Sequence, residues 1–462
     1  MTDSERSVLG EKAGSYRLSC MTMAVGDCEI ILPEEKSDFI LSKGLLPTFE
    51  LDPLGENYGF AVDIGTTTVA VYLYRLKSGE MLGYDAFLNP QASFGADVIS
   101  RIEGAINGKA EDLSNAVKNA LVKAFKDLCS KYKVDFSLVD TIVLTGNTTM
   151  LYLLLKENTA PLSKAPFEIS NYLGDFCVEK GFFDDFLNAR VYLPRTISAF
   201  VGSDITCSLL VGTELAKTDH TLMLIDIGTN GEMALIKDNN LVCCSTAAGP
   251  AFEGAGITMG MMAKGGAIGR VYIENKKIKY TVINGEKPVG VCGSGLIDSV
   301  YVFLRLGLLD ETGLIAEKSE EYGEYLTEYD GSPAIKIGDS GVLITQKDIR
   351  TFQLAKAAIS AGIYSLAKEM DIELREVDKL LLAGGFGSFI DVEKAGEIGL
   401  IPKALADKAK PIGNAAGMGA AMILLSQKAR DKSFSLAEKS KALDLSSSPY
   451  FMDKYIEQMI FN

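Results

Sequence analysis

The sequence predicts a duplicated α/β fold with two similar lobes and a phosphate-binding cleft between them. First, the tetrapeptide Asp-Ile-Gly-Thr occurs twice, at 63–66 and at 226–229. Second, each copy ends one apolar run and opens another, which is the pattern of a β-hairpin. Third, a similar order of predicted elements follows both copies, and an internal duplication is the simplest account of that order.

Both copies carry residue types that suit a phosphate group. Glycine lets the backbone approach a phosphate, and threonine hydroxyls and amide N–H groups can bind it. A carboxylate cannot bind phosphate directly, so Asp63 and Asp226 imply a divalent cation or its water shell. We predict that this pair is catalytic and orients Mg²⁺ and the attacking water. A carboxylate that merely caps a turn is the alternative for either copy alone. The predicted phosphate ligands are Gly65, Thr66, Thr67, Gly228, Thr229 and Asn230.

Composition narrows the class of protein. The 462 residues are 47% hydrophobic, enough for two domains or one large two-lobed unit. The formal net charge is −15 and no Lys/Arg-rich run stands out, which argues against nucleic acid or an anionic membrane as partner. His220 is the only histidine, so histidine-based metal sites and Ser-His-Asp hydrolysis are nearly excluded.

The chain is predicted to be cytoplasmic. Its first residues are polar and charged, unlike a signal peptide, and no uncharged apolar run is long enough for a transmembrane helix. The eight cysteines lie scattered in apolar segments, as expected for reduced thiols.

The first lobe is predicted over 57–205, after a leftover N-terminal piece (1–33) and a linker (34–56). Strands are expected at 58–64, 67–75, 81–88 and 141–147, with a helix opening near 95–97 and an amphipathic helix over 113–129. The second lobe, 206–462, includes a C-terminal tail. Its strands are expected at 221–227, 231–237 and 240–246, and residues 379–387 are expected to form a further buried strand that runs into a glycine turn. Its helices are expected near 294–308, at 346–369 and from about 413, with a glycine-rich stretch at 249–269.

Later glycines are candidates for the rest of a nucleotide. Gly384, Gly385 and Gly387 follow a predicted buried strand and would let the backbone approach adenosine. Gly249, Glu253 and Gly254 are predicted near the phosphates or the ribose, although a flexible loop explains them equally well. Gly293 is predicted at a helix N-terminus near phosphate.

Several further motifs carry a resemblance to a known family. They are Asn-Pro-Gln-Ala-Ser-Phe-Gly-Ala-Asp at 89–97, Gly-Asn-Thr-Thr-Met at 146–150 and Ala-Ala-Gly-Pro-Ala-Phe-Glu-Gly-Ala at 247–255. With the hairpins and the late Leu-Ala-Gly-Gly-Phe-Gly, they resemble the ATPase domain of reductive activators of corrinoid proteins. That family lies within the acetate kinase/sugar kinase/Hsp70/actin superfamily. The resemblance covers roughly 57–462.

The resemblance implies a fold and an activity. The fold would be two actin-like, RNase H-like lobes with mixed five-stranded sheets and ATP between them. The activity would be an ATPase that drives the one-electron reduction of a corrinoid protein from Co(II) to Co(I). The cofactors would be ATP and Mg²⁺, the partner a corrinoid protein of a methyltransferase system, and the assembly a homodimer.

The sequence departs from the family pattern at its start. A plant-type [2Fe–2S] domain needs three clustered cysteines and a distant fourth. Cys20 resembles only the last of these, and Cys28 does not complete a cluster. We therefore expect no [2Fe–2S] cluster in this chain and electrons from a separate donor such as a ferredoxin. We also expect no separate middle domain of the kind that full-length members have.

Two other functions remain open on the same fold. A small-molecule kinase would share both hairpins, but no substrate loop or catalytic base can be identified. A non-catalytic module could use ATP as a conformational latch on a protein partner.

Overall fold

The computed structural model describes residues 44–177, 181–186, 188–216, 220–387 and 389–461, with the backbone alone at positions 386 and 387. The predicted N-terminal piece, with Cys20 and Cys28, and the first part of the predicted linker lie outside the described residues. All described residues belong to one compact unit.

The first half of the described chain builds a mixed sheet and its helices. Its elements are β1 (Tyr58–Ile64), β2 (Thr68–Arg75), β3 (Glu80–Leu88), α1 (Val98–Gly104), α2 (Ala110–Tyr132), β4 (Val139–Gly146), α3 (Thr148–Leu155), β5 (Asp175–Phe176), β6 (Arg190–Leu193) and α4 (Ser203–Ala216). The strand order is β3-β2-β1-β4-β6-β5. Strands β1, β2 and β3 are antiparallel neighbours, whereas β4 runs parallel to both β1 and β6.

The second half repeats the sheet and adds to it. Its elements are β7 (Leu222–Ile227), β8 (Gly231–Lys237), β9 (Asn240–Thr246), β10 (Ala267–Glu274), β11 (Lys277–Val282), β12 (Gly290–Val291), α5 (Gly293–Arg305), β13 (Leu326–Tyr329), β14 (Ser332–Lys336), β15 (Leu343–Thr345), α6 (Gln346–Glu369), β16 (Lys379–Ala383), α7 (Gly384–Gly387), α8 (Val392–Glu397), α9 (Lys403–Ala406), β17 (Ala409–Gly413), α10 (Ala415–Leu425), α11 (Gln427–Lys439), β18 (Ser440–Ala442) and α12 (Pro449–Glu457). The main sheet has the order β17-β16-β7-β8-β9-β18.

The two main sheets confirm the predicted duplication. Strands β9, β8, β7, β16 and β17 match β3, β2, β1, β4 and β6 in order and direction. The predicted number of five strands was wrong, because each sheet has a sixth strand at one edge. Those strands, β5 and β18, span two and three residues, too short to leave a pattern in the sequence.

Alternation along the first strand of each sheet decides which way its aspartate points. Phe60, Val62 and Ile64 of β1 pack in the core that contains α2. Ala61 lies on the opposite face, in the core around α4 and α10, and Asp63 shares that face because side chains alternate in a strand. Asp226 lies likewise on the face of Leu224, which packs in the same central core.

Helices α4 and α10, here called the crossing helices, pack against each other between the two sheets. Their close approach depends on small residues, since a Cβ added to Gly419 would lie 2.2 Å from the Cys207 carbonyl oxygen. Each begins beside the cleft, α4 with Asp204 in its first turn and α10 with Asn414 as its N-cap. The predicted lobe boundary between residues 205 and 206 falls inside α4, and the lobe division stays a prediction.

The second half also contains two three-stranded sheets, β11-β10-β12 and β13-β14-β15, that the sequence did not predict. No helix within the described ranges has the length and apolarity needed to cross a bilayer.

Candidate nucleotide-binding cleft

A cleft lies between the two main sheets, where both Asp-Ile-Gly-Thr hairpins turn. The predicted site residues that line it are Asp63, Gly65, Thr66, Thr67, Asp226, Gly228, Thr229, Asn230, Glu253, Gly293, Gly384 and Gly385. We call residues 65–67 turn I and residues 228–230 turn II. The structure therefore brings together side chains that are more than 150 residues apart, such as Thr67 and Thr229 with a separation of 162.

Turn I is held from beneath by asparagines. The backbone N–H of Asn89 donates to the Thr67 carbonyl at 2.8 Å, and its side-chain amide donates to the Gly65 carbonyl at 2.8 Å. Asn147 donates from its side chain to the Thr66 hydroxyl at 3.0 Å. Since Asn89 is only 1% exposed, these bonds fix the turn in a water-poor setting where they are costly to break.

Three asparagines use the two ends of their side-chain amide in the same way. The amide oxygens of Asn89, Asn147 and Asn414 accept from the N–H groups of Gln91, Met150 and Gly417, and so cap the helical turns that follow. Their NH₂ groups are thereby turned towards the hairpins. Asn414 donates to Asp63 Oδ2 at 2.9 Å and links the start of α10 to β1.

Each turn is closed by one bond from its glycine. The Gly65 N–H donates to the Thr68 carbonyl and the Gly228 N–H to the Asn230 carbonyl, both at 3.0 Å. The Thr229 hydroxyl donates to Glu253 Oε2 at 2.9 Å, and the Thr67 hydroxyl of turn I donates to the same oxygen at 2.9 Å. We call this Thr67–Glu253–Thr229 contact the clasp, because it joins both turns through one carboxylate.

Carboxylates dominate the charge of the cleft. Those that line it are Asp63, Asp204, Asp226, Glu232 and Glu253, and no Lys or Arg is among the described lining residues. Burial raises the pKa of Asp63 to about 6, and the hydrogen bond from Asn414 opposes this rise. Burial raises the pKa of Asp226 to about 8, with the negative charges of Asp204 and Asp63 adding to the effect.

The second hairpin places more carboxylates close together than the first, because of the register in which its two strands pair. Asp226 is paired across the hairpin with Glu232, whereas Asp63 is paired with Ala70. Burial, followed by the charges of Asp204 and Asp226, raises the pKa of Glu232 well above its usual range. Burial also raises the pKa of Asp204 to about 7. A proton is therefore held more strongly around Asp226 than around Asp63.

The carboxylates of the cleft fit a Mg²⁺ ion that keeps most of its water shell. Within the described ranges, no three or more His, Cys, Asp or Glu side chains are arranged to hold a metal ion directly. Mg²⁺ retains much of its water shell and is commonly held by one or two carboxylates together with substrate phosphates. Asp63 and Asp226 are half-buried, and no Lys or Arg is among the described residues that line the cleft. Their carboxylates therefore suit a hydrated Mg²⁺ whose remaining ligands come from a nucleotide.

Gly384 is the glycine most closely tied to the acidic group. It has φ +86°, and an added Cβ would lie 2.4 Å from Asp226 Oδ1. Only glycine therefore leaves room for that carboxylate. The predicted glycine turn is in fact a single helical turn, α7, of which Gly384 and Gly385 line the cleft beside Phe389 and Gly387 is the last residue.

Of the predicted residues whose surroundings are described, Gly249 and Gly254 are not among those that line the cleft, and the role of Gly387 stays a prediction. Gly249 has φ +77° and precedes a short helical turn, Pro250–Glu253. Gly254 has φ +81°, and an added Cβ would lie 2.5 Å from the Met261 backbone. The loop that presents Glu253 therefore needs glycine at both positions for its backbone conformation, without any contact to a ligand.

Sequence reasoning missed Asp204, Glu232 and Asn414. The signal for Asn414 was the dipeptide Gly-Asn, which follows a parallel strand at both 146–147 and 413–414. No sequence motif marks Asp204 or Glu232. The position of α4 between the sheets brings Asp204 to the cleft, and the strand register of the second hairpin brings Glu232 there.

Family comparisons extend over nearly all of the described chain. A family model described as the C-terminal domain of RACo, the ASKHA domain, matches residues 220–462. A second, described as the RACo middle region, matches residues 58–218. The expectation that a separate middle domain is missing was therefore wrong, since residues 58–218 match the middle region.

Relatives agree with these matches. The chain is 35% identical to the corrinoid activation enzyme RamQ of Eubacterium limosum, over 87% of this chain and 70% of that protein. It is 25% identical to the [Co(II) methylated amine-specific corrinoid protein] reductase of Methanosarcina barkeri, over 87% of this chain and 77% of that protein. The solved structure of a reductive activator for corrinoid,iron-sulfur protein superposes with a TM-score of 0.79 and 36% identity, over 89% of this chain and 67% of that chain.

Proposed function

This chain belongs to the RACo family, and we propose that it is an ATP-dependent reductive activator of a corrinoid protein. The reaction would add one electron to Co(II) to give Co(I), coupled to the binding and hydrolysis of ATP. The observation that carries the ATP part is the convergence of turns I and II, with Asp63 and Asp226 behind them, on one cleft.

The residues of the cleft have distinct proposed tasks. Hydroxyls of turns I and II donate to phosphate oxygens, and Gly384 and Gly385 let the backbone approach the nucleoside. Asp63 and Asp226 hold the water shell of the cation and orient the attacking water. Mg²⁺, when bound, offsets the phosphate charge and polarises the terminal phosphoryl group.

The environment of each aspartate suggests an order of events. Asn414 favours the ionised form of Asp63, so that carboxylate is ready for a cation near neutral pH. Asp226 needs the nearby positive charge in order to lose its proton, since burial and its acidic neighbours hold that proton. Binding of the magnesium–nucleotide complex would therefore release a proton from the Asp226 group.

Coupling to the corrinoid protein follows from linkage. A corrinoid protein that binds one closure state of the two lobes more tightly than the other favours that state. Its own conformational equilibria then shift by the difference in binding free energy. If cobalt loses an axial ligand in the favoured state, its reduction becomes easier. The electron would come from a separate donor such as a ferredoxin, and the activator would work as a homodimer in the cytoplasm without nucleic acid or membrane.

The test is reduction of a cognate corrinoid protein, followed by its visible absorption. With a competent reductant present, conversion of Co(II) to Co(I) should require both the chain and ATP. Conversion that proceeds equally well without ATP would contradict the proposal. Rapid phosphate transfer to a metabolite instead would favour the small-molecule kinase.

A further inference from the structure

The carboxylate of Glu253 accepts hydrogen bonds from both turns at one oxygen. The Thr67 and Thr229 hydroxyls each donate to Oε2 at 2.9 Å, and the two hydroxyl oxygens are 3.3 Å apart. One anionic oxygen thus lies where hydroxyls from the two hairpins converge. An oxygen of a phosphate group would accept hydrogen bonds from the same donors.

Two anionic oxygens cannot share this position. At contact distance, two negative charges repel strongly in a partly buried site. Each hydroxyl has one proton to donate, so a bond to phosphate ends the bond to Glu253. A phosphate held by both Thr67 and Thr229 must therefore displace the Glu253 carboxylate.

Glu253 can leave the clasp by rotation of its side chain while the backbone that presents it stays in place. The helical turn Pro250–Glu253 is anchored by Ala251 and Phe252, which are 1% and 2% exposed and pack in the core of the second half. Glu253 is the last residue of that turn and is less buried than these two neighbours. The chain is also fixed at Thr258, whose N–H and hydroxyl donate to Asp348 at 2.7 and 2.9 Å.

We propose that Glu253 determines how the cleft distinguishes ATP from ADP, by occupying the terminal-phosphate position until that phosphate displaces it. ADP does not carry the group that competes with the clasp. Glu253 thus lowers the affinity for ATP relative to ADP and makes the bridge between the hairpins conditional on the terminal phosphate. The inference rests on the proposed ATP cleft.

The experiment measures the dissociation constants of ADP and AMP-PNP, both with Mg²⁺, for the wild type and for Glu253→Ala. Loss of the competing carboxylate should tighten AMP-PNP binding about tenfold and change ADP binding less than about twofold. Glu253→Gln keeps the acceptor oxygen and removes the charge, so it should give an intermediate shift. Glu328→Ala, at an exposed position on β13, is the control and should change neither constant.

Three results would overturn the inference. They are unchanged binding of both nucleotides, an equal change for both, and weaker binding of AMP-PNP alone. If AMP-PNP binding is unchanged and ATP hydrolysis is lost, Glu253 acts on the attacking water and is not a clasp. Failure of the wild type to bind either nucleotide would instead overturn the proposed ATP cleft. Glu253→Gln is nearly isosteric, so it remains informative if the alanine variant does not fold.

Discussion

Turns I and II share the sequence Asp-Ile-Gly-Thr, an internal bond from the glycine N–H and the clasp, but turn I has further support. The side-chain amides of Asn89 and Asn147 donate to the Gly65 carbonyl and to the Thr66 hydroxyl of turn I. A phosphate would replace the clasp at both turns. Turn I would then keep its asparagine bonds, whereas turn II would keep its internal Gly228 bond.

The aspartates behind the two turns also have different neighbours. Asp63 has a neutral donor, Asn414, and the side chain opposite it in the hairpin is Ala70. Asp226 has Glu232 opposite and is influenced by the charge of Asp204. A repeated motif therefore fixes the backbone of both turns, while the neighbours decide how tightly each carboxylate holds a proton.

The largest expected effect comes from filling the space beside Asp226. Gly384→Ala should lower ATP turnover about 100-fold, because the new Cβ would force the Asp226 carboxylate from its place. Gly341→Ala is the matched control. It has φ +78°, exposed surroundings and no atom within 4 Å of the added Cβ, so it carries the backbone strain alone. Equal losses in both variants would mean that strain, not displacement of Asp226, explains the effect.

A smaller effect is expected from loosening turn I. Asn89→Asp keeps an acceptor for the Gln91 N–H but removes the donor to the Gly65 carbonyl. ATP binding should weaken about tenfold, since the partly buried Gly65 carbonyl loses its hydrogen-bond donor and faces a carboxylate. Asn158→Ala, which removes a side-chain bond to the Ala160 N–H at an exposed turn, should leave ATP affinity unchanged. Wild-type affinity in Asn89→Asp would show that ATP binding does not depend on the Asn89 bond to turn I.

The smallest expected effect is a change in the pH dependence of stability without nucleotide. The raised pKa values, about 6 for Asp63 and about 8 for Asp226, mean that folding favours the protonated carboxyls. Their contribution is fully present below the unfolded-state pKa of about 4 and is lost as the pH rises through 6 and then 8. The melting temperature should therefore fall across this range. Asp226→Asn should reduce that fall by a few degrees. An identical fall in Asp226→Asn would contradict the assignment of the higher pKa.

Several elements could be predicted from the sequence because their signals are local. Helix α6 was predicted at its observed bounds, since its apolar face repeats at helical spacing. The structure adds a capping box at its start, formed by Thr345 with Asp348. The first three strands of each main sheet were predicted to within about one residue, because hairpin strands with tight turns alternate or run apolar. The sheet β11-β10-β12 was missed because β10 begins inside the glycine-rich stretch at 249–269, where no strand is predicted, and β12 spans only two residues.

The acidic group of the cleft could be predicted only in part. Asp63 and Asp226 stand out because their motif is repeated. Asn414 reaches Asp63 from 351 residues away, and only the course of α10 across the sheets brings them together. Glu232 follows turn II by two positions, but its place in the cleft depends on a hairpin loop one residue shorter than that of turn I.

The most direct measurement of the central claim is calorimetric titration of AMP-PNP with and without Mg²⁺, for the wild type, Asp226→Asn and the exposed control Asp330→Asn. We expect one site per chain, binding that depends on Mg²⁺ in the wild type and control, and a loss of most of that dependence in Asp226→Asn. The wild type should also release a proton on binding at pH 7, and Asp226→Asn should release less. Binding that is equally tight without Mg²⁺, or a Mg²⁺ dependence that survives in Asp226→Asn, would contradict a cation-dependent nucleotide cleft built on the two hairpins.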